Sequence, residues 1–104
     1  MTCRCISYSR PQAWQTDCEV LLETPAHMQA ATGKSLISVD ACIAPLIAAM
    51  WAAGFVTRDC CCGHNEPRRR SVLVDEGQAP ALRLWLEARG GEGMQVLEQK
   101  AAAA

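Results

Sequence analysis

The chain has 104 residues, half of them hydrophobic, with 10 Lys and Arg against 11 Asp and Glu and a formal net charge of −1. That length holds one hydrophobic core and is too short for two ordinary domains. The near-neutral balance excludes, as a default, a strongly basic surface for nucleic acid or anionic membranes.

Taken in chain order, residues 1–10 carry Cys3, Cys5 and two arginines where a secretory signal would have an apolar core. No signal peptide is expected, and the thiols are placed in a reducing cytoplasm. Residues 18–24 read as a short strand that ends before Pro25, because the residue preceding a proline favours extended backbone. Residues 25–34 mix Gly, Thr and Ala without periodicity and read as a loop with room for a helical turn. His27, isolated between Ala26 and Met28, reads as a surface or loop residue and not as a ligand. The clearest element follows. Ile43, Leu46, Ile47, Met50 and Trp51 recur at helical spacing, which predicts a helix over 40–53 with one buried face, Asp40 as its N-cap and Gly54 as its stop. Pro45 leaves two options, an irregular first turn or a regular helix that begins at Ala44 with Pro45 in its first turn. The most apolar stretch, 41–56, is interrupted by Pro45 and Gly54 and is too short for a bilayer, so no membrane span is expected.

Residues 55–60 and 71–75 read as the two strands of a hairpin with 61–70 at its tip. A turn at 76–78 leads to a second amphipathic helix over 79–89, marked by Leu82, Trp85 and Leu86 and stopped by Gly90 and Gly91. Residues 94–97 read as a last short strand, and the alanines of 101–104 carry no fold. The expected fold class is a single small α+β domain over 1–100. Its central helix packs on a short mixed or antiparallel sheet with a metal-stapled β-hairpin tip.

The chemistry concentrates in the run Cys60, Cys61, Cys62, Gly63 and His64. A zinc ion takes four N or S ligands in a tetrahedron, and Cys61 and His64 have the spacing that lets one tight turn present two of them. Gly63 supplies backbone free of a Cβ atom at that turn. The remaining two ligands are thiols drawn from Cys3, Cys5 and Cys62. On a strand Cys60 and Cys62 share one face and Cys61 takes the other, so all three do not readily bind one ion. Cys18 and Cys42 read as small buried hydrophobes. Disulfides or redox chemistry are the alternative use of the seven cysteines, and the reducing compartment favours the metal.

Three segments carry a resemblance. Val39-Asp40-Ala41-Cys42-Ile43-Ala44-Pro45-Leu46-Ile47, then Ala53-Gly54-Phe55-Val56-Thr57, then Cys61-Cys62-Gly63-His64 resemble a group of small phage and prophage proteins in order and spacing. The shared pattern is V-D-x-C-I-A-P-L, an A-G-(I/F)-x-T step and a C-C-G-H turn, and this chain departs from it at Asp59, Cys60 and Asn65. The resemblance implies a mobile-element origin and a helix, strand, turn and strand unit; it implies no reaction.

Two further readings stand beside the structural zinc. A Cys beside a His, or a metal with an open position, supports thiol or hydrolytic catalysis, with Asp59 and Glu66 as the nearest orienting carboxylates. The run Arg68, Arg69 and Arg70 suits phosphate or an acidic partner, which keeps nucleic-acid binding open as an alternative. The chain lacks the wide basic face and free aromatics of a nucleic-acid module. The favoured expectation is therefore a cytoplasmic interaction module. Its expected partner is a host protein or protein complex, by analogy with small phage proteins that occupy surfaces of host defence complexes.

Overall fold

The computed structural model describes residues 19–62, 70–90 and 93–100. The first strand, β1 (Glu19–Glu23), stops two residues short of Pro25 as its sequence predicts. Where a loop was expected, Ala26–Thr32 forms a helix, α1. Pro25 starts it, Met28 anchors it in the core, and Gly33 closes it at φ 73° with its N–H on the Gln29 carbonyl. Seven residues with one buried side chain leave no periodicity for a sequence reading to find. His27 is half-buried on this helix rather than in a loop.

Leu36–Asp40 forms β2, which has no counterpart in the sequence reading. It pairs antiparallel with β1 in unbroken register from Glu19 opposite Asp40 to Glu23 opposite Leu36. Ala41–Ile43 then makes one 3-10 turn, and α2 runs Ala44–Ala52 with Pro45 in its first turn, the second of the two options above. The predicted face is buried: Ile43, Leu46, Ile47, Met50 and Trp51 all lie in the core. Asp40 departs from expectation. It precedes the 3-10 turn but makes no side-chain capping bond there, because its carboxylate is engaged elsewhere.

Gly54, at φ 96°, turns the chain into β3 (Thr57–Cys61), which pairs antiparallel with β4 (Ser71–Asp75). The register slips between Thr57 and Asp59, leaving Arg58 at a bulge. Helix α3 (Ala79–Ala88) buries Leu82 and Leu86, and Trp85 stands edge-on to Phe55 at 6.0 Å with the Arg89 guanidinium 4.6 Å above its ring. The last strand, β5 (Gln95–Gln99), pairs parallel to β4, so β4, α3 and β5 form a βαβ unit.

The result is one small α+β domain with two sheets, an antiparallel pair β1-β2 and a mixed trio β3-β4-β5. Val39, Val72, Val74 and Val96 from the strands meet Met28, Ile47, Met50, Trp51 and Leu82 from the helices in one core. Within it the Trp51 indole N–H donates to the Thr57 hydroxyl at 2.9 Å. No helix among the described residues is long and apolar enough to cross a membrane. The expected hairpin tip falls largely on residues 63–69, outside the described residues.

Candidate functional site

β3 and the residue after it carry three thiols along the edge of the core. Cys60 lies opposite Val72, a fully buried residue, while Cys61 lies opposite Ser71 on the other face. Cys62 is 2% exposed and belongs to the core, and Cys60 is half-buried and packs against it. The alternation expected of a strand therefore holds: Cys60 and Cys62 turn inward, and Cys61 turns the other way. Cys42, half-buried against the same core, has the small-hydrophobe role its sequence suggested.

Carboxylates organise the backbone around these thiols. The Cys62 amide donates to Asp40 Oδ2 at 2.8 Å, tying the end of β3 to the end of β2. The Cys60 amide donates to Asp59 Oδ1, also at 2.8 Å. Burial pushes the Cys60 thiol up to about 12, helped by the negative charges of Asp40 and Asp59 and by Cys61. A thiol so held stays protonated at neutral pH and is not a nucleophile in this arrangement.

At the other end of β3, Arg58 Nη2 meets Asp75 Oδ2 at 2.7 Å, and Arg58 Nη1 donates to the Ala31 carbonyl at 2.9 Å. Those bonds fasten α1, which leads into β2, to the trio of strands. The Arg58 guanidinium, with Gln99 Nε2 assisting, holds the Asp75 carboxyl below the usual carboxylate range. Between the two fastenings β2 and β3 do not pair, and a cleft of about 300 Å³ opens, lined by Thr32, Lys34, Leu36 to Val39 and Thr57 to Cys60. His27 Nε2 lies 3.0 Å from the Phe55 carbonyl, an acceptor only, so that nitrogen carries the proton and pins α1 to the turn before β3.

Of the residues singled out in the sequence, Cys3, Cys5, Cys18, Gly63, His64, Asn65, Glu66, Arg68 and Arg69 lie outside the described residues. Arg70 is half-buried just ahead of β4, and its carbonyl accepts the Gln95 N–H at 2.9 Å, which ties its backbone to β5. Among the described residues no group of three or more His, Cys, Asp or Glu is placed to hold a metal ion.

The chain matches no family model, no curated protein and no solved structure. Asp40 and Arg58 are the two positions that a sequence reading did not single out for this site. Asp40 had a competing role as a helix cap, and Arg58 sits at a bulge that no local pattern announces.

Proposed function

We propose that the chain is a small phage-type interaction module whose thiol-bearing end is stapled by one zinc ion and whose partner is a host protein or protein complex. The observation that carries the zinc is topological. Glu19, the first residue of β1, lies opposite Asp40, and Asp40 holds the Cys62 amide. The segment bearing Cys3 and Cys5 therefore joins the fold at the same end as Cys61 and the C-C-G-H turn. Fully extended, the chain from Cys5 to Glu19 reaches about 45 Å, ample to return both thiols to that end.

Cys61 and His64 supply two ligands. The third and fourth come from Cys3, Cys5 and Cys62, and the place of Cys62 in the core favours the N-terminal pair. Zinc in such a set is structural. It fixes the hairpin tip, and with it Arg68, Arg69 and Arg70, whose guanidinium groups suit an acidic or phosphate-bearing surface. The Arg70 carbonyl, just ahead of β4, accepts the Gln95 N–H, which supports a run anchored at one end before binding and so less costly to order.

Elemental analysis of protein purified under reducing conditions tests the metal: about one zinc per chain is expected, falling sharply in Cys61→Ser and His64→Ala variants. Metal-free protein, or variants that melt like the parent, would overturn it. A protein with Arg68, Arg69 and Arg70 replaced by Ala should fold and keep zinc yet lose its partner in salt-resistant pull-downs. Retention on an oligonucleotide column that weakens steeply with salt would instead favour nucleic acid.

A further inference from the structure

Among the described residues β1 pairs with β2 alone, and its second edge is open. The other strands with an unpaired edge carry devices of the kind that native proteins use against stray pairing. On β5 the Arg83 guanidinium takes the Val96 carbonyl at 3.2 Å. On β3 the bulge at Arg58 breaks the register and the Asp59 carboxylate takes the Cys60 amide. The second edge of β2 is turned toward β3 across the cleft. β1 has no proline, no lysine and no bulge, and it leaves Val20 38% and Leu21 67% exposed.

α2 supplies a second wall. Every residue of Ala44–Ala52 is apolar, and a helix apolar all round is one suited to burial on every side. Leu46, Ile47, Met50 and Trp51 achieve it, whereas Pro45, Ala48 and Ala52 form an exposed stripe. Where β1 ends, a hollow of about 350 Å³ is lined by Glu23, Thr24 and Pro25 from the strand side and by Ala48, Trp51 and Ala52 from the helix. The alanine stripe thus adjoins the end of the open strand.

We propose that the edge of β1 left unpaired among the described residues and the alanine face of α2 take up an extended segment of a partner protein as an added strand, with basic residues flanking an apolar centre. Strand addition draws affinity from main-chain hydrogen bonds and specificity from alternate side chains. β1 presents Glu19 and Leu21 on the face opposite the core residue Leu22, with Glu23 at the end of the strand beside the hollow, so the complementary guest presents cation, apolar and cation. Its inward positions run beside Val20 and the hollow, where the alanines admit apolar side chains close to the helix. A second copy is a poor guest. Antiparallel pairing of two β1 strands about Leu21 sets Glu19 against Glu23, a like-charge contact at each end. The inference rests on the interaction-module reading and adds the place and chemistry of one contact; it does not depend on zinc.

The test uses the full chain, isotopically labelled, and a short acetylated and amidated peptide with the core Lys-Val-Ile-Ala-Lys. Its addition should shift the backbone amides of residues 19–23 and slow hydrogen exchange at alternate ones. The charge-reversed core Glu-Val-Ile-Ala-Glu should bind about tenfold more weakly or worse, since two opposite-charge pairs become like-charge pairs. Ala48→Arg, a change at an exposed helix position, should abolish binding with the fold intact. Equal binding of both peptides, absence of shifts in β1, a concentration-dependent dimer through β1, or protection in the free chain of those β1 amides that do not bond to β2 would each overturn the proposal. If both peptides fail while the chain still retains a partner in pull-downs, this surface falls and the module reading stands. If no partner is retained at all, the module reading falls with it.

Discussion

Replacing Thr57 by Val exchanges a buried hydroxyl for a methyl of nearly the same size and leaves the Trp51 indole N–H without its acceptor. Both residues are closed to solvent, Trp51 at 2% and Thr57 at 6% exposure, and the bond between them is 2.9 Å long. Water has no ready access to replace it. A buried donor left unsatisfied costs about 1 to 3 kcal/mol, with the full desolvation of the N–H unrecovered. At about 2 kcal/mol the melting temperature of a chain this small should fall by roughly 8 to 16 °C. Urea denaturation at neutral pH should give a lower midpoint at unchanged slope, and Thr57→Ser, which keeps the oxygen, should recover most of the loss. Combining Thr57→Val with Trp51→Phe removes donor and acceptor together, and the double-mutant cycle should return a coupling of about 1 kcal/mol. A Thr57→Val protein with an unchanged midpoint, or a cycle with no coupling, would refute the claim that this bond joins α2 to β3.

Three other outcomes follow from the packing and the charges. Ile47→Ala, at a fully buried position of α2, should cost about 2 to 5 kcal/mol by calorimetry or urea titration, enough to threaten folding. The folded Asp75 carboxyl lies below its ordinary value, so its contribution is present above about pH 4, the unfolded carboxyl range, and is lost as pH falls through the folded value. Asp75→Asn should therefore be less stable at pH 7 by about 1 kcal/mol, as expected of a partly exposed pair, and the difference from the parent should vanish in acid. Chelation under reducing conditions should lower the melting temperature of the parent and leave a Cys61→Ser, His64→Ala protein unmoved.

The elements most legible in the sequence are those whose large apolar residues recur on one buried face. Five side chains on one stripe announced α2, and Val72 and Val74, two apart and both fully buried, announced β4. β2 escaped because its pattern is mixed: Ile37 is half-buried and Val39 buried on one face, but the other face carries the apolar Leu36, 49% exposed, where a simply amphipathic strand would carry a polar residue. α1 escaped for want of length. At the thiol end, the alternation of Cys60, Cys61 and Cys62 followed directly from strand geometry. What closed that end did not, because Asp40 looked like a helix cap while its carboxylate is spent on an amide 22 positions away.

Each described strand pairs only with the strand next to it in sequence, β1 with β2, β3 with β4, and β4 with β5. Pairings of that kind close shorter loops than pairings between strands distant in sequence, so less entropy is lost before each is rewarded. The unzipped line between β2 and β3 then divides the molecule into two cooperative units, one local assembly of β1, α1 and β2 and one of β3, β4, α3 and β5, that share a core without sharing a ladder. Such a chain opens first along that line, and its first unit is free to yield or stiffen with a guest on β1 while the second keeps its own hydrogen bonds intact.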